Sequence, residues 1–286
     1  ANGTSKAKNL LFSDDVKAAI RTINRLGIKS TFYKNEYKIF GKGIDGYKYK
    51  NNITINAENS GTLGRLILGL LVNTPEKIKL VGDKSLSQRD FERVTSPLSK
   101  FGVKFKLNKD RYLPLTIKGS SKLKPIKYLE KKGSAQCKSA VIFAGMRTNG
   151  TTIIKAKKSR NHTELLYEYL KLPIKISKKK NYDLIEVNGV KKVRPLIYKI
   201  PSDISSSAFF IVLTLLSKKS ELLIKNVNIN PSRLGLIKIL RLMNVKIKIF
   251  NSVNYKGEQI ANLFIKSQKN FRPINCPTNL NTSTID

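Results

Sequence analysis

Four short turns punctuate the chain at nearly constant intervals, and no other feature limits its fold as much. Leu26-Gly27-Ile28-Lys29, Phe101-Gly102-Val103-Lys104, Leu172-Pro173-Ile174-Lys175 and Met243-Asn244-Val245-Lys246 each lead from an apolar-periodic stretch into a Lys-bearing strand. Their second residues are 75, 71 and 71 positions apart. A fixed period of this kind means one supersecondary unit used repeatedly, each copy burying its apolar face against its neighbours.

Ahead of each turn the sequence predicts a helix opened by capping residues: Ser13-Asp14-Asp15, Ser87-Gln88-Arg89-Asp90, Ser159-Arg160-Asn161-His162-Thr163-Glu164 and Asn230-Pro231-Ser232-Arg233. Such side chains accept from first-turn N–H groups and contribute about 1 kcal/mol per cap. In the first helix Val16, Ala19, Ile20, Ile23 and Leu26 fall at helical spacing and predict one apolar face. Three further helices start at Asn59-Ser60-Gly61-Thr62, Gly133-Ser134-Ala135-Gln136 and Ser202-Asp203-Ile204-Ser205-Ser206. Their bodies are apolar almost all round, which predicts burial. Strands over 77–81, 151–154 and 221–224 follow them. The expected class is therefore α/β, with sheets packed around internal helices.

The 286 residues, 40% of them hydrophobic, suffice for one large core or two moderate ones. The net charge of +36 raises the question of a nucleic-acid partner. The charge is mostly Lys, however, and it is spread along a chain that is also rich in Asn and Ile, so composition explains it and nucleic acid is not expected. Cys137 and Cys276 stand far apart and His162 is the single histidine, so neither a disulfide framework nor a zinc site is supported. A reducing, cytoplasmic location is expected. The apolar runs 140–146 and 208–216 are too short to span a bilayer, so no membrane partner is expected. Neither GxxxxGK[ST] nor GxGxxG occurs, and no cofactor is expected.

A buried helix that opens with Ser, Gly or Thr offers bare N–H groups and a positive dipole end to phosphate or carboxylate. Arg65 lies one turn into the helix from Asn59, and Arg89 and Arg160 sit at other helix starts. A guanidinium fork grips either anion with two parallel bonds. Related starts in a repeated architecture are expected to converge on a common cleft for small anionic substrates.

The stretch Asn59-Ser60-Gly61-Thr62-Leu63-Gly64-Arg65-Leu66 resembles the N-[SA]-G-T-x-x-R-L motif of the 5-enolpyruvylshikimate-3-phosphate (EPSP) synthase family. Further matches follow in family order at 82–89, 134–140, 159–164, 202–210 and 230–235, so the resemblance covers the whole chain. It implies a two-domain enzyme built from βαβαββ units, here a nearly complete substrate-binding domain over 1–200 and an incomplete second domain over 201–286. The implied reaction transfers the enolpyruvyl group of phosphoenolpyruvate to the 5-hydroxyl of shikimate 3-phosphate and releases phosphate. By position, Ser134, Ala135, Gln136 and Arg160 would hold shikimate 3-phosphate, while Gly61, Thr62, Arg89 and Gln136 would face phosphoenolpyruvate. Asp286 would act at the 5-hydroxyl as base or orienter. Gly61 is the form carried by glyphosate-sensitive members, so sensitivity of an intact enzyme is implied.

This sequence departs from the family at Asp90, where Pro is usual, and at Ser202, where Gly is usual. The family's P-G-[DS]-K-S-x-S-x-R and K-E-[ST]-D-R segments do not occur, which implies an internal fragment, inactive by itself, of an enzyme monomeric at full length. Gly82-Asp83-Lys84-Ser85 mimics the first segment but belongs to the internal repeat, so Lys84 is not assigned a catalytic role. Two other readings stay open. A UDP-N-acetylglucosamine enolpyruvyl transferase would use a loop cysteine, whereas Cys137 falls within an apolar helix. A basic nucleic-acid-binding protein would show clustered cations among exposed aromatics.

Overall fold

The computed structural model describes residues 1–284. Asp286 lies outside them. The chain divides into two compact units, one comprising Ala1–Lys158 and Leu170–Lys199, the other comprising Ser159–Tyr169 and the chain from Ile200 onward.

The first unit begins with β1 (Asn2–Lys8), α1 (Asp14–Arg25), β2 (Ser30–Tyr33), β3 (Glu36–Lys42) and β4 (Ile53–Asn56). Then come α2 (Gly61–Leu70), β5 (Ile78–Val81), α3 (Lys84–Ser87), α4 (Glu92–Ser99), β6 (Lys104–Asn108) and β7 (Tyr112–Lys118). A third pass brings β8 (Lys127–Glu130), α5 (Ala135–Gly145) and β9 (Thr151–Lys157). After α6 (His162–Tyr169), which packs with the second unit, β10 (Ile174–Lys178), β11 (Tyr182–Asn188) and β12 (Ile197–Lys199) complete the first.

The repeat read from the turns is visible in the strand order. The three sheets of this unit run β12-β1-β3-β2, β4-β5-β7-β6 and β8-β9-β11-β10, and each consists of one parallel pair followed by two antiparallel pairings. The first copy takes its parallel partner, β12, from the far end of the unit. Strand alternation fixes which face is buried: in β7, Leu113, Leu115 and Ile117 face inward and Pro114, Thr116 and Lys118 outward.

Inside lie α2 and α5. Gly69 of α2 comes so close to the Ala140 backbone of α5 that a Cβ has no room there. Ile67, Leu68, Val141 and Ile142 are buried around this crossing. The outer helix α1 is capped by Ser13, whose Oγ accepts from Val16 N at 3.4 Å. Its fully buried stripe is Ala18, Thr22 and Leu26, and Val16, Ala19, Ile20 and Ile23 are only half-buried beside it. The expected apolar face is thus rotated by part of a turn, because Thr22 enters the core.

The segment Ser87–Asp90 does not open a helix as expected. Ser87 ends α3, which is capped by Asp83 through Leu86 N at 2.7 Å, and α4 starts at Glu92 after an uncapped Phe91. Phe91 is fully buried, and Asp90 accepts from Arg93 N in the first turn of α4 at 3.3 Å, so packing and this one polar contact together set the start.

The second unit adds α7 (Ile204–Leu216), β13 (Glu221–Asn228), a 3-10 turn at Pro231–Arg233 capped by Asn230, α8 (Gly235–Leu242), β14 (Ile247–Tyr255), β15 (Glu258–Lys266) and α9 (Asn281–Thr284). Its sheet runs β13-β15-β14, all antiparallel, and the parallel position is held by a single bridge from Ser202 to Val227. Ser202 is further fixed by its Oγ, which donates to Lys225 O at 3.0 Å. A glycine there would lack that bond.

Helix α6 is fastened to this sheet by a polar cluster. Glu258 is buried, its Oε1 lies 2.5 Å from His162 Nδ1, and its Oε2 accepts from the amides of Asn228 and Asn230, both at 3.2 Å. Asn230 also donates to Asn161 at 2.9 Å. Gly257, with φ +91°, passes the Leu165 carbonyl where a Cβ would approach to 2.7 Å.

The expected burial of the third apolar helix is not met. Ile204, Ile211 and Leu215 of α7 pack into the sheet's core, but Phe209 is 79% exposed and Leu216 69%, with Phe210 and Leu213 exposed beside them.

Candidate functional site

The starts of α2 and α5 meet in the first unit. Ser60 caps α2 by accepting from Leu63 N at 3.2 Å, and Ser134 caps α5 by accepting from Cys137 N at 3.3 Å. The loop before α5 is held by buried Glu130, whose carboxylate takes the N–H groups of Lys132 at 3.2 Å and Gly133 at 2.5 Å. Gln136 ties the two helices: its Nε2 donates to Thr62 Oγ1 at 2.9 Å and its Oε1 accepts from Arg65 Nη1 at 2.7 Å.

Two guanidinium groups converge on Gly61, the first residue of α2. A Cβ at Gly61 would lie 2.9 Å from Arg65 Nη1 and 3.1 Å from Arg89 Nη1. Arg65 also reaches back to Gly61 O at 3.4 Å and stacks over the buried ring of Phe91 at 5.3 Å. Arg89 is aimed by a relay. Asp83 Oδ2 accepts from Asn59 Nδ2 at 2.6 Å, and Asn59 Oδ1 accepts from Arg89 Nη2 at 3.4 Å. Bonds from Leu86 N–H and Asn59 hold the Asp83 carboxyl below its usual range, so it stays ionised for this task.

Burial lowers the Arg65 pKa, and the charges of Arg93 and Arg89 push it the same way. Among the described residues no carboxylate forms an ion pair with Arg65, Arg89 or Arg93. Three cations near a helix N-terminus without a counter-ion make a cradle suited to a phosphate or carboxylate.

The charge of Asp90 is felt at Arg65, but its carboxylate makes its closest contacts elsewhere. Its carboxylate accepts from Arg93 N at 3.3 Å and lies 4.0 Å from Arg111 Nε, which Glu92 also approaches at 3.5 Å. The carboxylate that replaces the usual Pro is thereby partly offset by Arg111. Cys137 is buried in α5, and burial pushes its thiol up, so no reactive loop thiol is present at this position.

Of the residues expected from sequence, Gly61, Thr62, Ser134, Ala135 and Gln136 fall at these two helix starts, and Arg89 reaches the first of them from the loop between α3 and α4. Arg160 belongs to the second unit, just before α6. Asp286 lies outside the described residues. Sequence reasoning gave no role to Asn59, Asp83 or Arg93. Asn59 and Asp83 stood within quoted motifs, whereas Arg93 looks like any surface cation in sequence.

A match to the family described as EPSP synthase (3-phosphoshikimate 1-carboxyvinyltransferase) runs over residues 1–281. The chain belongs to the EPSP synthase family. A 3-phosphoshikimate 1-carboxyvinyltransferase of Caldicellulosiruptor bescii is 39% identical over 269 residues, covering 93% of this chain and 61% of that protein. One from Ruthia magnifica is 35% identical over 287 residues, covering 100% of this chain and 64% of the relative. The solved EPSP synthase of Acinetobacter baumannii superposes with a TM-score of 0.87 at 30% identity, over 99% of this chain and 63% of that one. The chain thus spans somewhat under two thirds of the length of the EPSP synthases it matches.

Proposed function

We propose that this chain carries the substrate-holding part of an EPSP synthase, which transfers the enolpyruvyl group of phosphoenolpyruvate to the 5-hydroxyl of shikimate 3-phosphate with release of phosphate. The observation that supports this most is the convergence of Arg65 and Arg89 on Gly61 at the start of α2. In this reading phosphoenolpyruvate sits against Gly61, Thr62 and Arg89, with Gln136 between the two ligands. Ser134, Ala135 and Gln136, with Arg160, serve shikimate 3-phosphate, and Asp286 serves its 5-hydroxyl. Residues 1–200 act as the substrate-binding domain and 201–286 as part of the second.

The physical role of the cradle follows from charge. Two anionic substrates repel, and cations and helix ends must offset that repulsion before the hydroxyl can meet the enol carbon. Holding both partners in register replaces a two-body encounter by an intramolecular one. Arg65 would gain most from an anion, since its charge is disfavoured by burial and by its two neighbours.

No helix among the described residues is long and apolar enough to cross a membrane. Cys137 and Cys276 are free thiols, which suits a reducing cytoplasm. We assign a monomer to the full-length protein.

Calorimetry with phosphoenolpyruvate tests the reading. Binding is expected to the chain and to weaken at least tenfold in Arg65→Met and in Arg89→Met. Undiminished binding in both variants would sink it. Titration with UDP-N-acetylglucosamine in place of shikimate 3-phosphate is expected to give no heat.

A further inference from the structure

Lysine is dispersed in the sequence, but folding gathers five of them on the outward face of one sheet. In β5, β7 and β6 the registers Lys79↔Thr116 and Thr116↔Lys106 form one row across the strands. Lys104↔Lys118 lies in the next row, and Lys77 precedes the Ile78↔Ile117 pair on the other side of Lys118. All five lysines are exposed and border an open groove of about 410 Å³ that no carboxylate lines.

A second groove, lined by Arg241, Lys246, Lys248, Lys266 and Lys269, likewise has no lining carboxylate, but on several other strands the lysines are paired. Lys6 and Lys8 share Glu36, Lys158 pairs with Asp183, and Lys266 pairs with Glu221. Among the described residues none of the five lysines has an ion-pair partner. Lys104 and Lys118 even stand directly opposite one another, an arrangement that destabilises a strand pair.

The array is also regular. Neighbouring strands lie about 4.8 Å apart, and alternate residues along a strand about 6.8 Å apart. We infer that the outward face of the β5-β7-β6 strands binds the backbone of single-stranded nucleic acid, without base recognition. Charge complementarity selects a chain of phosphates over a neutral partner. The spacing selects phosphodiesters, since the phosphates of an inorganic polyphosphate share bridging oxygens and sit closer together than adjacent strands do. Thr116 lies at the centre of the array and Asn52 and the half-buried Phe105 also line the groove, so the face offers mainly charge and hydrogen bonds, with one aromatic ring and no row of them for successive bases. This inference is independent of the proposed activity, because it uses none of the residues at the α2 and α5 starts.

The test is fluorescence anisotropy with a labelled 20-nucleotide oligo(dT). Single-strand contacts give a slope of about −0.7 per phosphate in a plot of log K against log salt. Five contacts predict a slope near −3.5, or about a hundredfold loss of affinity between 50 and 200 mM salt. The triple variant Lys104→Gln, Lys106→Gln, Lys118→Gln is expected to bind at least tenfold more weakly at 50 mM salt and to reduce the slope by about 2. A control of equal charge change, Lys246→Gln, Lys248→Gln, Lys269→Gln, is expected to lose less than threefold. Both triples alter exposed positions and should keep their melting temperature. Equal losses in the two triples would show that only net charge matters and would overturn the assignment, as would no binding at 50 mM salt. Tighter binding of inorganic polyphosphate through the same three lysines would overturn the choice of phosphodiester.

Discussion

Helices α2 and α5 of the first unit and α7 of the second read alike in sequence, yet only the first two are covered on all sides. In the first unit the apolar surface of each internal helix is met by the other, as closely as Gly69 against Ala140 permits. In the second, one side of α7 packs on β13 and β15 while Phe209, Phe210, Leu213 and Leu216 face outward. A helix that is apolar all round states a demand for two neighbours, and among the described residues that demand is met for α2 and α5 but not for α7. The comparison separates what a sequence asks of its surroundings from what the described residues supply.

Overpacking the covered crossing should break the contrast most severely. Gly69→Val drives a branched side chain into the α5 backbone, and we expect a loss of at least about 3 kcal/mol or failure to fold, read by urea unfolding. On the buried side of α7, Leu215→Ala should cost about 2–5 kcal/mol in the same assay. Gly61→Ala sharpens the comparison at the helix starts. Its Cβ pushes on both guanidinium groups, so phosphoenolpyruvate affinity should fall about tenfold while stability is unchanged or slightly raised, because Ala is the better helix former. A fall in both together would mean that the cradle and the fold are not separable.

Acid should distinguish the second unit. Burial opposes ionisation of Glu258, but the His162 bond and charge and the two Asn amides outweigh it, leaving its folded pKa below the ordinary 4.5. A depressed carboxyl contributes stability that is fully present above the unfolded pKa and is lost as pH falls through the folded one. The melting temperature of the wild type should therefore drop below about pH 4.5, and Glu258→Gln should flatten that part of the profile. The smallest expected effect lies on the outward side of α7. Phe209→Ser with Leu213→Ser should change stability by no more than about 0.5 kcal/mol, yet remove most binding of a dye that reports exposed apolar surface.

Much of this was legible because it is local. The caps at Ser60, Ser134 and Asp203, and the turns that mark each repeat, depend on residues within a few positions of one another. The Asp83–Asn59–Arg89 relay was not legible, since it joins residues up to 30 positions apart whose meeting depends on β5 pairing with β4. Arg93 was missed for the same reason. The placement of α6 with the second unit escaped notice because sequence order puts it between β9 and β10 of the first, whereas the Glu258 cluster and the close pass of Gly257 by Leu165 tie it to the second. Periodicity identified α7 as an internal helix but is silent on whether a neighbour is present.

The uncovered side of α7 also bears on how this chain behaves in bulk. Molecules carrying a net charge of +36 repel one another before their apolar patches can meet, provided the field reaches beyond the first water layers. At physiological ionic strength that reach is only about 8 Å, and at 1 M it is about 3 Å. The colloidal state should thus be clear at low salt and turbid at high salt, the reverse of a protein held together by ion pairs, with α7 as the adhesive surface.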